Sequence, residues 1–323
     1  MSNGNALPNE LKTNPVRKKR GLFKKQLDFW KNRQNRRQAL VAYAFISPAY
    51  LLFTIFLFVP VLWAFYLSFT NYTLFSPGDW VGLDNYTKLI SDSEFRNALW
   101  NTTIFSVQVI PLNIAISLGL ALLVNRALRG ITIFRAAYYI PVVTSIIAAS
   151  MIWMWLYDPN NGLINYIVTS LGFKPQLWLN DPDIALQALV AMRVWKGVGW
   201  NMVIFLAGLQ AIPKTLYEAA AIEGANRWKS FWRVTWPLLT PTTFFVFVMA
   251  TLSTFQTFGE IYAMTQGGPT GSTTTIVYLI FVYGFERYEM GYASAIAFVL
   301  FAIIFVLTLL NMLIGQRTVN YDL

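Results

Sequence analysis

Six stretches of this sequence stay apolar for longer than a helix in water requires, and they decide which solvent the chain can fold in. They lie near Ala39 to Phe69, Thr103 to Val124, Phe134 to Leu156, Ala185 to Gln210, Pro241 to Met264 and Tyr292 to Gln316. A helix crosses the hydrocarbon core of a bilayer with about 20 apolar residues. No water reaches backbone amides there, so each span must satisfy its own hydrogen bonds as a helix. The expected fold is an all-α integral membrane protein with six transmembrane helices. Pro48 and Pro60 interrupt the overlong first stretch, which predicts a kinked or tilted helix with one end outside the core. Another apolar run, Ile276 to Phe285, has only ten residues and reads as interfacial or re-entrant.

Composition then removes most chemistries. Of the 323 residues 56% are hydrophobic and only 12% charged, outside the range of a soluble domain. There is no cysteine and no histidine, which excludes a disulfide framework, a thiolate nucleophile, a His-ligated metal and an imidazole base. The formal charge of +10 is no sign of nucleic acid, because the Lys and Arg residues sit beside apolar spans. Membrane lipids and topology account for them there.

Lys and Arg in the connections set the orientation. The N-terminal tail carries eleven, the second connection three, the fourth four and the C-terminus one, nineteen on one side against four in the alternate connections. Both termini and the segment before Pro241 are expected in the cytoplasm. The expected division is a basic tail over residues 1–38, a six-span region over 39–317 with a polar loop at 211–240, and a C-terminus at 318–323. Within the tail an amphipathic surface helix is possible from Leu22 to Trp30, and no cleavable signal peptide is expected. Three N-x-T matches, at Asn71, Asn85 and Asn101, are read as chance.

The polar loop holds Glu218-Ala219-Ala220, three residues, Gly224, nine residues, then Val234-Thr235-Trp236-Pro237. This resembles the EAA loop of binding-protein-dependent ABC importer permeases, E-A-A-x3-G-x9-I-x-L-P, with Val and Trp as the departures. "FVPVLWAFYLSFTNY", "VGLDNYTKLISDSEFRNALWNT" and "MTQGGPTGSTTT" also resemble the carbohydrate-uptake branch, the maltose and glycerol-phosphate type. The resemblance covers about Leu40 to Arg317. It implies a type I (MetI-like) permease core with a cytoplasmic coupling-helix loop, in a bacterial inner membrane.

The residues of the loop suit that role. Alanines at 219 to 221 make a helix of little bulk that another protein can approach closely. Gly224 can adopt positive φ and end the helix, so that Trp228 to Val234 begin a second one at an angle. Glu218, placed by this reading at the start of the first helix, would favour its dipole and meet a basic group on a partner. Phe231, Val234 and Leu238 would pack the second helix inward before Pro237 opens the fifth span. In the family this elbow sits in a cleft of the cytoplasmic ATPase and transmits closure of the ATPase dimer.

Two polar faces flank the loop. Arg193, Lys196 and Trp200 fall at i, i+3 and i+7 in the fourth span, with Gly197 between them, and Ser253, Gln256, Thr257 and Glu260 repeat that spacing in the fifth. In maltose-type permeases the corresponding stretches line the cavity, and these residues are candidate substrate-path groups. Sugars need a hydrogen-bond partner for each hydroxyl and an aromatic face for each ring. Arg193 and Lys196 could instead pair with Glu260 to join the two helices, or Arg193 could favour an anionic ligand such as a uronate oligosaccharide or a glycerol phosphoester. No Walker A sequence occurs, so no cofactor is expected in this chain, and ATP and Mg would belong to a partner ATPase, making this chain no enzyme. The resemblance implies a second homologous permease subunit, a dimer of ATP-binding subunits, an extracytoplasmic solute-binding protein and a sugar cargo. A secondary transporter would show internal repeats or broken helices around an ion site, and an intramembrane enzyme a nucleophile constellation; no repeat and no such constellation is read here.

Overall fold

A computed structural model describes residues 33–125 and 130–318. The basic tail up to residue 32, with its expected surface helix, lies outside the described residues. The described residues are almost entirely helical, with two isolated β-bridges and no strands. Five helices are long and apolar enough to cross a membrane, and a bent pair supplies a sixth span.

The first span, Arg36–Leu67, comprises α1 (Arg33–Phe53), a π turn at Thr54–Phe58 and α2 (Val59–Leu67). The turn falls immediately ahead of Pro60, whose ring has no N–H to offer the carbonyl four residues back. The helix shifts register there, with Val59 N–H bonded to Thr54 O. None of the most hydropathic stretch of this span is buried.

From Ala64 onward the chain forms a second compact unit. A short helix α3 (Asp84–Ser91) leads into α4 (Ser93–Val124), which Asp92 caps by accepting the Glu94 N–H at 2.8 Å. Next come α5 (Ile131–Val143), α6 (Ile146–Leu156), α7 (Leu163–Ser170) and the central α8 (Ala185–Ala211). The loop helices α9 (Lys214–Ile222) and α10 (Arg227–Ser230) follow, then α11 (Trp236–Phe255), α12 (Gly259–Met264), α13 (Ile276–Phe281) and α14 (Met290–Thr318). The short apolar run expected to be interfacial is α13 with its π-turn extension, Ile276–Glu286, and it does not reach spanning length.

Three spans depart from expectation, the second by beginning at Ser93 rather than Thr103. The third is not one helix: α5 and α6 meet at a bend of 101° at Thr144 and Ser145, both extended in backbone. Pro141 lacks an N–H, and Thr144 Oγ1 donates to Ile140 O at 2.9 Å, competing with helix continuation. The fifth begins earlier and ends earlier than Pro241 to Met264: helix runs from Arg227 through a π turn at Phe231–Thr235 to Phe255. Here too the π turn precedes a proline, Pro237.

Helix α8 packs against three neighbours through glycines, since close helix approach needs small residues. A Cβ on Gly197 would lie 2.5 Å from Asn113 Nδ2 of α4, one on Gly199 2.1 Å from Tyr138 O of α5, and one on Gly208 2.6 Å from Thr242 Oγ1 of α11. Only the Gly199 contact is with backbone, which cannot swing away. Gly199→Ala is expected to cost about 3 kcal/mol, the upper end for overpacking, read as a lower thermal midpoint. The control is Gly119→Ala on α4, where an added Cβ meets nothing within 4 Å and stability should hold or rise.

Candidate functional site

A cavity of about 260 Å³ opens between α4, α5, α8 and α11 near the middle of α8. Arg193, Lys196, Gly197 and Trp200 all line it, as their shared helical face predicts. Ser253 and Thr254 line it from α11, and Asn113 and Asn201 complete its polar wall.

Each cation has a defined anchor. Arg193 Nη1 lies 3.4 Å from Glu260 Oε1, and its Nη2 donates to Ser253 O at 3.1 Å. Ser253 belongs to the last turn of α11, whose carbonyls lack intrahelical donors and gather partial negative charge. Lys196 Nζ donates to Pro141 O at 3.0 Å and Thr144 O at 2.6 Å, the carbonyls freed where the third span breaks. Of the two pairings with Glu260 considered from sequence, Arg193 makes the contact and Lys196 caps the broken helix instead. That lysine sits where the bend needs a donor.

The spacing of Ser253, Gln256, Thr257 and Glu260 does not describe one helical face. α11 stops at Phe255, and Glu260 begins a separate helix, α12, after a break at Gln256 to Phe258. Ser253 reaches the cavity, Gln256 is exposed away from it, and Thr257 and Glu260 are buried behind it. Thr257 Oγ1 donates to Glu260 Oε1, so the carboxylate that holds Arg193 is itself held.

Two amides not expected from the sequence, Asn113 and Asn201, also belong to the site. Asn201 Nδ2 donates to Asn113 Oδ1 at 2.6 Å, and Ser117 Oγ to the same oxygen at 3.2 Å and to Val198 O at 3.1 Å. Asn113 lies inside an apolar span, a signal of the same kind as the charges and available from sequence.

The loop elements form an exposed elbow. α9 begins at Lys214, four residues before Glu218, so Glu218 lies mid-helix and has no role at the dipole end. It is exposed, and its carboxylate makes no hydrogen bond or ion pair among the described residues. Gly224 ends the helix at φ 76°, with Ala225 N bonded to Ala220 O at 2.9 Å and Gly224 N to Ala221 O at 3.0 Å, a Schellman closure. The alanines therefore supply acceptors as well as a low profile: Ala219 is exposed and Ala220 half-buried. Asn226 caps the next helix by accepting the Lys229 N–H at 2.9 Å. Tyr217 bonds Thr235 across the elbow at 3.0 Å, and Phe231 and Leu238 pack on the core beneath α8 and α11. Val234 and Pro237 are half-buried.

At the opposite connections Asp92 accepts from Tyr292 at 2.6 Å and from Tyr283 at 3.3 Å. Burial pushes its carboxyl upward, but these bonds and the backbone N–H groups of Glu94 and Phe95 outweigh it and hold the carboxyl below the usual range. Asn85 and Asn101, two of the N-x-T matches, are buried and spend their amides on Ser68 O and Thr70 O, and on Gly271 O and Thr274 O. They serve packing.

Residues 31–320 match the family described as "Binding-protein-dependent transport system inner membrane component". The chain belongs to this family. It is 36% identical over 297 residues to the probable ABC transporter permease protein YesP of Bacillus subtilis, covering 90% of this chain and 96% of that one. It is 35% identical over 286 residues to the sn-glycerol-3-phosphate transport system permease protein UgpA of Agrobacterium fabrum, covering 87% and 97%. The trehalose/maltose transport system permease protein MalF of Thermococcus litoralis is 34% identical over 281 residues, covering 87% and 95%. Among solved structures, a chain of a bacterial alginate ABC transporter superposes with a TM-score of 0.79 at 22% identity, covering 88% of this chain and 96% of that chain. That likeness is one of fold. The permease is thus a multi-pass membrane protein built on the type I permease core.

Proposed function

We propose that this permease is one of two membrane subunits of an ATP-driven importer for a sugar or oligosaccharide, receiving cargo from an extracytoplasmic binding protein and power from a cytoplasmic ATPase dimer. The carrying observation is the pairing of a polar, Trp-flanked cavity with an exposed alanine-rich elbow on the adjoining helix. Relatives named for trehalose/maltose, arabinooligosaccharides and glycerol phosphate support a hydroxyl-rich cargo. The excess of Lys and Arg on one set of connections supports a cytoplasmic elbow and cytoplasmic termini in a bacterial inner membrane. Co-expression with a second permease, an ATPase subunit and a solute-binding protein should yield a stable complex and ATP-dependent uptake of labelled oligosaccharide. Ion-driven uptake by the lone chain would overturn the reading.

A second reading concerns charge. Two cations and one carboxylate surround the cavity, leaving it net positive. That balance favours an anionic cargo such as a glycerol phosphoester or a uronate oligosaccharide, and relatives named for glycerol-3-phosphate and sulfoquinovosyl glycerol fit it.

A further inference from the structure

We propose that the apolar groove between α4 and α11 binds an anionic phospholipid of the cytoplasmic leaflet, with its acyl chain in the groove and its phosphate on Arg227, Lys229 and Arg233. The inference rests on the cytoplasmic placement of the elbow proposed above. The groove encloses about 780 Å³ and is lined from Ser106 to Leu122 on α4 and from Phe231 to Phe247 on the facing helix. Its lining offers no polar side-chain atom besides the Ser106 hydroxyl and two indole N–H groups. Ser106 to Leu122 rises by about 24 Å at 1.5 Å per residue. That exceeds one leaflet's share of a ~30 Å core, so a whole acyl chain fits.

One end of this groove is built for a headgroup. Trp228, Phe231, Trp232 and Trp236 interlock there, with ring centroids 5.7 Å apart for Trp228 and Trp232, 5.1 Å for Phe231 and Trp232, and 6.0 Å for Trp232 and Trp236. Tryptophans of this kind sit at headgroup level. Arg227, Lys229 and Arg233 lie in the same two turns, exposed and without an ion pair among the described residues. An apolar helix from a partner would fill the groove yet leave three cations unneutralised, and so would a zwitterionic lipid. An anionic headgroup satisfies both the apolar cleft and the charge. The occupant would hold the second helix of the elbow against α4, so lipid composition would bear on coupling.

Gly119 supplies a clean test, since it lines the groove and an added Cβ there meets nothing within 4 Å. The full chain is exchanged into micelles containing equal amounts of phosphatidylglycerol and phosphatidylcholine, and retained lipid is counted by native mass spectrometry. Wild type is expected to keep phosphatidylglycerol over phosphatidylcholine by about tenfold, the scale set by cations near an anionic surface. Gly119→Leu should fill the groove and lose the bound lipid at an unchanged thermal midpoint, while Gly119→Ala retains it. Arg227→Gln/Lys229→Gln/Arg233→Gln should abolish the preference. Equal retention of both lipids by wild type, or full retention by Gly119→Leu, overturns the proposal. The topology has its own readout: Lys229→Cys, the only thiol in the chain, should resist an impermeant maleimide applied from outside. Labelling there would sink the cytoplasmic placement and leave lipid retention to be judged separately.

Discussion

Glu260→Gln is expected to cost the permease about 3–5 kcal/mol of stability, the usual penalty for removing one partner of a buried ion pair, measured as a lower thermal midpoint in a fixed detergent. Glu260 is 1% exposed, accepts the Thr257 hydroxyl and lies 3.4 Å from Arg193. Without its charge, Arg193 and Lys196 face one cavity with no carboxylate to oppose them. Arg193→Gln does the converse and strands the carboxylate behind the cavity wall. The double variant Arg193→Gln/Glu260→Gln should recover most of the loss, because two amides can hydrogen-bond with no lone charge left between them. If the two losses simply add, the residues do not act as a pair. Uptake by the double variant then separates the two readings of Arg193. A purely structural pair leaves transport of every cargo intact once the fold is restored, whereas a guanidinium that binds cargo makes the double variant lose acidic substrates while still carrying neutral sugars.

What could be read from sequence follows what each signal averages over. Hydropathy sums some twenty residues, so six spans stood out even though Pro48, Pro111, Pro141 and Pro241 lie inside helices. The break of the third span did not stand out. It depends on Thr144 and Ser145 going extended while Lys196, 52 residues further on, takes up the freed carbonyls. No local window contains that donor. Periodicity placed Arg193, Lys196 and Trp200 on one face because α8 is uninterrupted there. Ser253 to Glu260 share no such face, because the backbone leaves the helix at Gln256 and periodicity loses its meaning. Asn113 and Asn201 carry no charge, so they stand out less in an apolar span than Arg193 or Lys196. A buried amide in an apolar span deserves the same scrutiny, since it too must be satisfied. At the elbow, the pattern of Glu218, the alanines and Gly224 was legible, yet the helix start was not: Pro213 precedes Lys214 as the capping residue, which moves Glu218 to mid-helix.

Gly224→Val is expected to uncouple the importer, with uptake falling about tenfold or more, the scale of a ~1.4 kcal/mol change, while ATP hydrolysis by the assembled complex continues. Gly224 holds φ 76°, and its surroundings are open, since an added Cβ would meet nothing within 4 Å. The cost is therefore backbone strain alone, roughly 1–2 kcal/mol for a residue with a Cβ in the left-handed region and more when it is β-branched. A loss that small leaves the membrane fold intact, and it falls on one place. The Schellman bonds from Gly224 and Ala225 to Ala221 and Ala220 fix the angle at which α9 leaves α10, and a side-chain hydrogen bond from Tyr217 to Thr235 ties α9 to the helix below. Releasing the glycine end lets α9, exposed along Glu218 and Ala219, swing about Tyr217, which bonds Thr235 and packs on the core. Gly224→Asn should keep more of the coupling than Gly224→Val, because asparagine tolerates positive φ better than any β-branched residue. Glu218→Ala makes the complementary cut: it removes an exposed carboxylate that bonds nothing among the described residues, so it should weaken the proposed contact with an ATPase without changing thermal stability. If both variants couple normally, the elbow is not the point through which force enters the membrane helices.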